Sequence, residues 1–149
     1  MRKLFMAMLV VAVVSGCQGP YGIAGEYQKE SKEFEIAFAS KNYSSAVKLA
    51  TTSVGKANAL NAQGYQEYKS GNINLARKLY ESAIENDPLQ YWSYNNLGVV
   101  FISLGEFGLA ISMFEKSIEI NSNASDGDAK ARIEKARLNL SVARKLDNK

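Results

Sequence analysis

The sequence predicts an all-α protein, a short solenoid of antiparallel helix pairs closed by a C-terminal capping helix. Two observations carry that expectation. The stretch GYQEYKSGNINLARKLYESAIENDP, from Gly64, is echoed by GVVFISLGEFGLAISMFEKSIEINS, from Gly98: Gly64/Gly98, Gly71/Gly105, Ala76/Ala110, Tyr80/Phe114 and Ile84/Ile118 each stand 34 residues apart. A fixed period of this kind marks an architecture built of stacked supersecondary units. The chain also has only 2 prolines, Pro20 and Pro88, and between them runs Ala, Leu, Lys, Glu and Ser, a composition that favours helix.

At the N-terminus, Met1-Arg2-Lys3 precedes an apolar run from Leu4 to Val14. That run is too short for a bilayer span, which needs roughly 20 residues. A basic start, a brief apolar stretch and small residues after it describe a secretory signal peptide over 1–16. Val14-Ser15-Gly16-Cys17 holds the single cysteine and resembles the lipobox of bacterial lipoproteins. The resemblance implies that the Cys17 thiol is acylated, that the chain is cut before it, and that the new amino group is acylated too. Two acyl chains give stable anchoring where one does not. The covalent lipid on Cys17 is then the one non-protein group expected, with no cofactor and no metal. Gln18 is not the aspartate that typically retains such proteins in the inner membrane, so the resemblance favours the outer membrane, facing the periplasm. Residues 17–25, glycine-rich with Pro20, read as the lipidated cysteine and a flexible tether.

Loss of residues 1–16 would lower the formal charge from +3 to 16 − 15 = +1. A nearly neutral chain gives no reason to expect a nucleic-acid partner.

The next units follow from the period. Residues 57–90 and 91–124 form two full repeats, with Gly71 and Gly105 between their helices, where a C-terminal cap favours a residue that accepts positive φ. Small residues at 64, 76, 98 and 110 let the paired helices approach closely. Tyr80 and Phe114 fill the core, and Pro88 ends the second helix of its unit. Upstream, KNYSSAVKLA (41–50) copies the turn and second helix at a spacing of 30, giving a degenerate pair over 26–56. Downstream, Asp128 to Leu146 reads as one helix within a cap over 125–149, its charges suited to solvating the end of a stack. About seven helices result.

These repeats resemble the tetratricopeptide repeat (TPR). Leu60, Gly64, Ala76, Tyr80, Ala83 and Pro88 fill signature positions in the first unit, and Tyr94, Leu97, Gly98, Phe101, Ala110 and Phe114 in the second. Gln63, Glu67, Ser117 and Ser122 depart from the pattern. The resemblance implies a right-handed solenoid in which repeat positions 2, 5, 9 and 12 point into a concave groove: Asn58, Asn61, Tyr65 and Tyr68, then Trp92, Asn95, Val99 and Ile102. Asparagine amides can pair with a peptide backbone, and aromatic faces bury apolar side chains. The alternative is that Tyr65, Trp92 and Val99 only pack against neighbouring helices. Of the charged pattern with which chaperone-binding TPRs hold a C-terminal carboxylate, Asn96 alone is matched.

Catalysis is not expected. The chain has no histidine, so neither a Ser-His-Asp triad nor a Cys/His zinc site can be assembled. Glu81/Glu85 and Glu115/Glu119 fall at i, i+4 on exposed helix faces, and NSNASDGD (121–128) lacks the carboxylates of a calcium loop, reading instead as a linker ending in an N-cap. The C-terminal helix, rich in Lys and Arg, reads as a solvated cap, with anionic lipid or an acidic partner as the alternative.

The anchor and the repeats together resemble the TPR lipoproteins that serve as secretin pilotins and pilus-assembly factors. The expected function is a membrane-anchored scaffold that binds an envelope protein or peptide in its groove, in pilus or secretion machinery. An adaptor for peptidoglycan-remodelling enzymes is the first alternative. The second is a structural lipoprotein forming a homodimer through an apolar edge at Phe34, Ile36 and Phe38.

Overall fold

The computed structural model describes residues 29–124 and 126–148. The signal peptide, Cys17 and the tether lie outside the described residues. Every regular element among those described is an α-helix: α1 (Lys32–Ala39), α2 (Tyr43–Leu49), α3 (Ser53–Lys69), α4 (Ile73–Asn86), α5 (Tyr91–Ser103), α6 (Phe107–Ser122) and α7 (Ala129–Asp147). Helices α1/α2, α3/α4 and α5/α6 pack as consecutive hairpins. Helix α5 packs along α4 and touches α3, and α7 repeats the arrangement one unit on, packing along α6 and touching α5. The result is a short TPR solenoid.

The hairpin turns share one design. Gly71 (φ 84°) and Gly105 (φ 75°) adopt the left-handed conformation. Around Gly71 its own N–H donates to Tyr68 O at 3.0 Å and that of Asn72 to Glu67 O at 2.9 Å. This is the Schellman arrangement, which satisfies carbonyls orphaned at a helix end. The degenerate first pair keeps the same two bonds, from Lys41 to Phe38 O (3.0 Å) and from Asn42 to Ala37 O (2.9 Å). There Lys41, at φ 60°, stands where the full repeat has glycine, a conformation in which Cβ crowds the following carbonyl oxygen.

Within each full repeat a glycine meets an aromatic ring. A Cβ on Gly64 would lie 2.8 Å from Tyr80 Cε1, and one on Gly98 would lie 2.6 Å from Phe114 Cε1. Tyr80 and Phe114 are wholly buried in one cluster with Ala76, Leu97, Val100, Phe101 and Ala110, which Leu140 and Ala143 of α7 complete. Two smaller clusters sit nearer the N-terminus: Phe34, Ala37, Ala46 and Ala59, and Ala57, Leu60 and Ala83.

Helix ends follow local chemistry. Ser31 Oγ, Asn42 Oδ1 and Thr52 Oγ1 accept from the N–H groups of Phe34, Ser45 and Gly55 at 3.1, 3.2 and 2.8 Å. Such caps satisfy donors left free in a first turn. Glu30 adds a clamp: its carboxylate accepts the N–H of Thr51 at 2.7 Å and of Thr52 at 3.0 Å, and both hydroxyls. Burial alone would raise its pKa, but these bonds hold it below the usual carboxylate range. Helix α4 stops at Asn86, two residues before Pro88. Its counterpart α6, with Ser122 where α4 has the proline, runs on to Ser122.

Two expectations change. The apolar edge proposed for self-association is not intact: Phe34 is buried, and half-buried Phe38 stacks on it and meets Tyr43 edge-on, with ring centroids 5.7 and 5.2 Å apart. Only Ile36, 69% exposed, remains outward. The linker 121–128 also ends differently, since Asp128 makes no side-chain cap bond to α7, and Asp126 Oδ1 accepts the Asp128 N–H at 3.0 Å instead.

The glycine contacts make a direct prediction. Gly98→Ala forces its new methyl into the Phe114 ring, and overpacking of this kind costs about 1–3 kcal/mol. Chemical denaturation should show that loss, while Gly108→Ala, at a position with nothing within 4 Å, should show no clash penalty.

Candidate binding groove

The first helices of successive units, α3, α5 and α7, are joined by polar side chains. Gln90 Nε2 donates to Asn58 Oδ1 at 2.8 Å. Asn61 Oδ1 accepts from Asn96 Nδ2 at 3.0 Å and faces Ser93 Oγ at 3.3 Å. The Ser93 hydroxyl lies between that oxygen and Gln90 Oε1, and its single proton serves one of them at a time. One unit on, Asn139 Nδ2 donates to Asn95 Oδ1 at 3.1 Å. Farther along, Tyr68 Oη and Ser103 Oγ are 3.1 Å apart. Gln90 and Ser93 are fully buried, where an unbonded amide or hydroxyl would cost heavily.

These bonds decide what each expected groove residue can do. Asn58 and Asn61 are half-buried and use their amide oxygens within the fold. Their Nδ2 donors make no bond among the described residues. Asn95 is withdrawn from the surface: it is 5% exposed and committed to Asn139. Tyr65, 53% exposed, is the most open aromatic of the set. Trp92 is half-buried, its ring against Tyr91 with centroids 4.6 Å apart. Tyr68, Val99 and Ile102 also pack partly against the main core, so part of each side chain is taken up by packing against neighbouring helices.

Helix α7, whose sequence reads as a solvated cap, contributes groups to this face. Lys135 Nζ lies 5.7 Å from the centre of the Trp92 ring. Arg132 is buried: its Nε donates to Asn121 Oδ1 at 2.6 Å, its Nη2 pairs with Asp126, and its guanidinium covers the Tyr91 ring at 4.8 Å. The bond from Arg132 holds the Asp126 carboxyl below the usual range. Asn95 and Asn139 are 44 residues apart, whereas the bonds between α3 and α5 span 32 and 35. The 34-residue period does not announce that pairing, because α7 lies outside the two repeats.

Charge is nearly absent from the centre. Helix α5, YWSYNNLGVVFIS, carries no ionisable acid or base other than its two tyrosines. Burial raises the pKa of Tyr94 above the ordinary value, against the opposing pull of Lys116. What the groove presents is therefore aromatic surface and N–H donors, with Lys135 at one end.

The comparisons with known proteins agree with this architecture. Residues 79–112 match the tetratricopeptide repeat family model, a window of one period running from the middle of α4 into α6. That stretch is similar to a tetratricopeptide repeat. Two Hsp70-Hsp90 organising proteins, from Plasmodium falciparum and from its isolate 3D7, are each 35% identical over 72 residues, 48% of this chain. The matched stretch spans only 29% and 13% of those relatives. Among solved structures, the TPR2B-domain:pHsp70 complex of yeast Sti1 superposes with a TM-score of 0.53 at 17% identity, covering 74% of this chain and 91% of that one. At that identity the likeness is one of fold.

One group beside the α4–α5 junction is poorly served. Asp87 Oδ1 accepts the Leu89 N–H at 3.1 Å, while Oδ2 is buried without a partner. Burial pushes its carboxyl above the usual range, despite the Leu89 bond. The fold therefore favours protonated Asp87. The associated stability is present below the unfolded carboxyl pKa, about 3.9, and is lost as pH rises through the raised folded value. Asn121, 34 residues on, avoids the problem because its Nδ2 donates to Ser117 O at 2.8 Å. Asp87→Asn replaces the buried carboxylate with a neutral amide that can still accept the Leu89 N–H. Thermal melts should show this variant stabilised near neutral pH, with the advantage vanishing below about pH 3.9; an equal gain at every pH would remove the carboxyl from the explanation.

Proposed function

We propose that this chain is a membrane-anchored TPR scaffold that holds a polypeptide segment of an envelope protein in its concave groove, and that it acts in the assembly of pilus or secretion machinery as a binding protein without catalysis of its own. The observation that carries the binding part is the uncharged α5 between Tyr65, Trp92 and the free Nδ2 donors of Asn58 and Asn61. Aromatic faces bury the ligand's apolar side chains at low entropic cost, and amide donors satisfy its main-chain carbonyls. The relatives support the same use of the fold: two are named as organisers of Hsp70 and Hsp90, and the Sti1 domain is in complex with pHsp70. The anchoring part rests on Val14-Ser15-Gly16-Cys17 behind a short apolar run, and places the protein at the outer membrane, facing the periplasm.

The groove is tested by crosslinked capture from native envelopes, comparing the wild-type chain with Tyr65→Ala/Trp92→Ala. Aromatic anchors dominate interfaces of this kind at about 2 kcal/mol or more each, so the variant should lose its dominant partner with helical content unchanged. Recovery of the same partner in equal amount would move the site off this face. With no charge on α5, moderate salt should leave the capture nearly intact.

The anchor is tested separately. Cys17→Ser should release the protein from membranes into the soluble fraction and abolish any acyl adduct on the chain. A wild-type protein without an adduct, fractionating like the variant, would refute anchoring while leaving the groove untouched.

A further inference from the structure

Positive charge is segregated at one end of the solenoid. Residues 29–124 hold nine Lys and Arg against ten Asp and Glu, whereas α7 alone holds six against two. Two of the six are spent internally, Arg132 on Asp126 and Arg144 on Glu115. Lys130, Lys135, Arg137 and Lys145 are exposed and form no ion pair among the described residues.

The same helix has an uncovered apolar line. Ala129, Ala136, Leu140 and Ala143 are buried on one side of α7. At 3.6 residues per turn, Ala131, Leu138 and Val142 fall on the opposite side. Leu138 is 65% and Val142 44% exposed. Lys130, Arg137 and Lys145 flank this line on one edge and Lys135 on the other, with Glu134 the one acid among them.

We propose that this face of α7 lies against an anionic lipid bilayer, with Leu138 and Val142 entering the headgroup–acyl boundary and the four cations reaching the phosphates. An apolar line bordered by Lys and Arg is the pattern of helices that lie in a membrane interface, and long basic side chains keep their charges in the headgroup layer while their stems cover apolar surface. The charge excludes the nearest rival occupant, because a second copy docked through the same face would set two groups of cations against each other. Two side chains on a convex helix are also too little for a stable protein interface, which buries about 800 Å² per partner. No helix among the described residues is long and apolar enough to cross a membrane, so α7 rests on the surface. The contact is independent of the Cys17 lipid and shares with the groove only Lys135, whose Nζ lies 5.7 Å from the centre of the Trp92 ring.

The test uses the full chain carrying Cys17→Ser, so that an environment-sensitive nitrobenzoxadiazole label introduced with Leu138→Cys is the only thiol adduct. Vesicles of phosphatidylcholine containing about one third phosphatidylglycerol should shift its emission to the blue, and pure phosphatidylcholine should not. A label on Asn74→Cys, exposed on α4, should report no shift with either. Each of Lys130, Lys135, Arg137 and Lys145 changed to Gln should lower partitioning of the α7 face about fivefold. A Leu138 label that is silent on anionic vesicles overturns the proposal, even if the chain binds them by another segment. So does a shift that is equal on neutral vesicles, or a dimer in sedimentation that Leu138→Glu dissolves. None of these readings depends on acylation, so failure here and failure of the Cys17 anchor are separate results.

Discussion

The contact on which the solenoid depends is a glycine backbone lying against an aromatic ring. Gly64 meets Tyr80 and Gly98 meets Phe114 at distances that leave no room for a methyl group. Each pair fixes how near the two helices of a hairpin come. That spacing then decides where the next helix sits, because α5 rests on α4 and α7 on α6. The ring is also the largest wholly buried side chain of its unit, so one contact sets spacing and supplies much of the local core. In interiors packed as densely as crystals, neither partner can change size without moving the other.

Between units the fold relies on a different chemistry. Asn58, Gln90, Asn61, Ser93, Asn96, Asn95 and Asn139 join successive first helices by directional bonds, whereas apolar packing alone tolerates sliding. A buried amide left unbonded costs more than a good bond gains, so the polar seam specifies one register. It also limits the groove: the oxygens of Asn58 and Asn61 already accept bonds within the fold, while their Nδ2 donors make none among the described residues. A ligand matched to those two amides supplies acceptors.

Much of the fold was legible because a period writes the same physical requirement twice. Gly71 and Gly105 both take positive φ, and the short first pair keeps the turn at a spacing of 30 through Lys41. The groove was legible only as a set of positions. Position alone does not tell whether an asparagine faces solvent, as Asn58 and Asn61 do in part, or is consumed, as Asn95 is by Asn139. That pairing depends on where α7 lies against α5, and α7 falls outside the two repeats. Arg132 was hidden for the same reason. Its neighbours in sequence are those of a solvated helix, but Asn121, Asp126 and Tyr91 close around it. Likewise Phe38 was read as an exposed edge, while Phe34 and Tyr43 enclose it.

The first hairpin keeps its own small cluster, Phe34, Ala37, Ala46 and Ala59, apart from the cluster that runs from Ala76 to Ala143. In a stack where each unit touches only its neighbours, stability is distributed unit by unit. The Glu30 clamp on Thr51 and Thr52 is the polar fastening of this end. Its release lets α1 and α2 peel from α3 while the glycine–aromatic hairpins stay closed, a partial opening of the kind seen as fast amide exchange confined to one segment. The N-terminal end of the solenoid is thus a hinge in energetic terms: a disturbance entering at Glu30 meets two short helices before it reaches the groove.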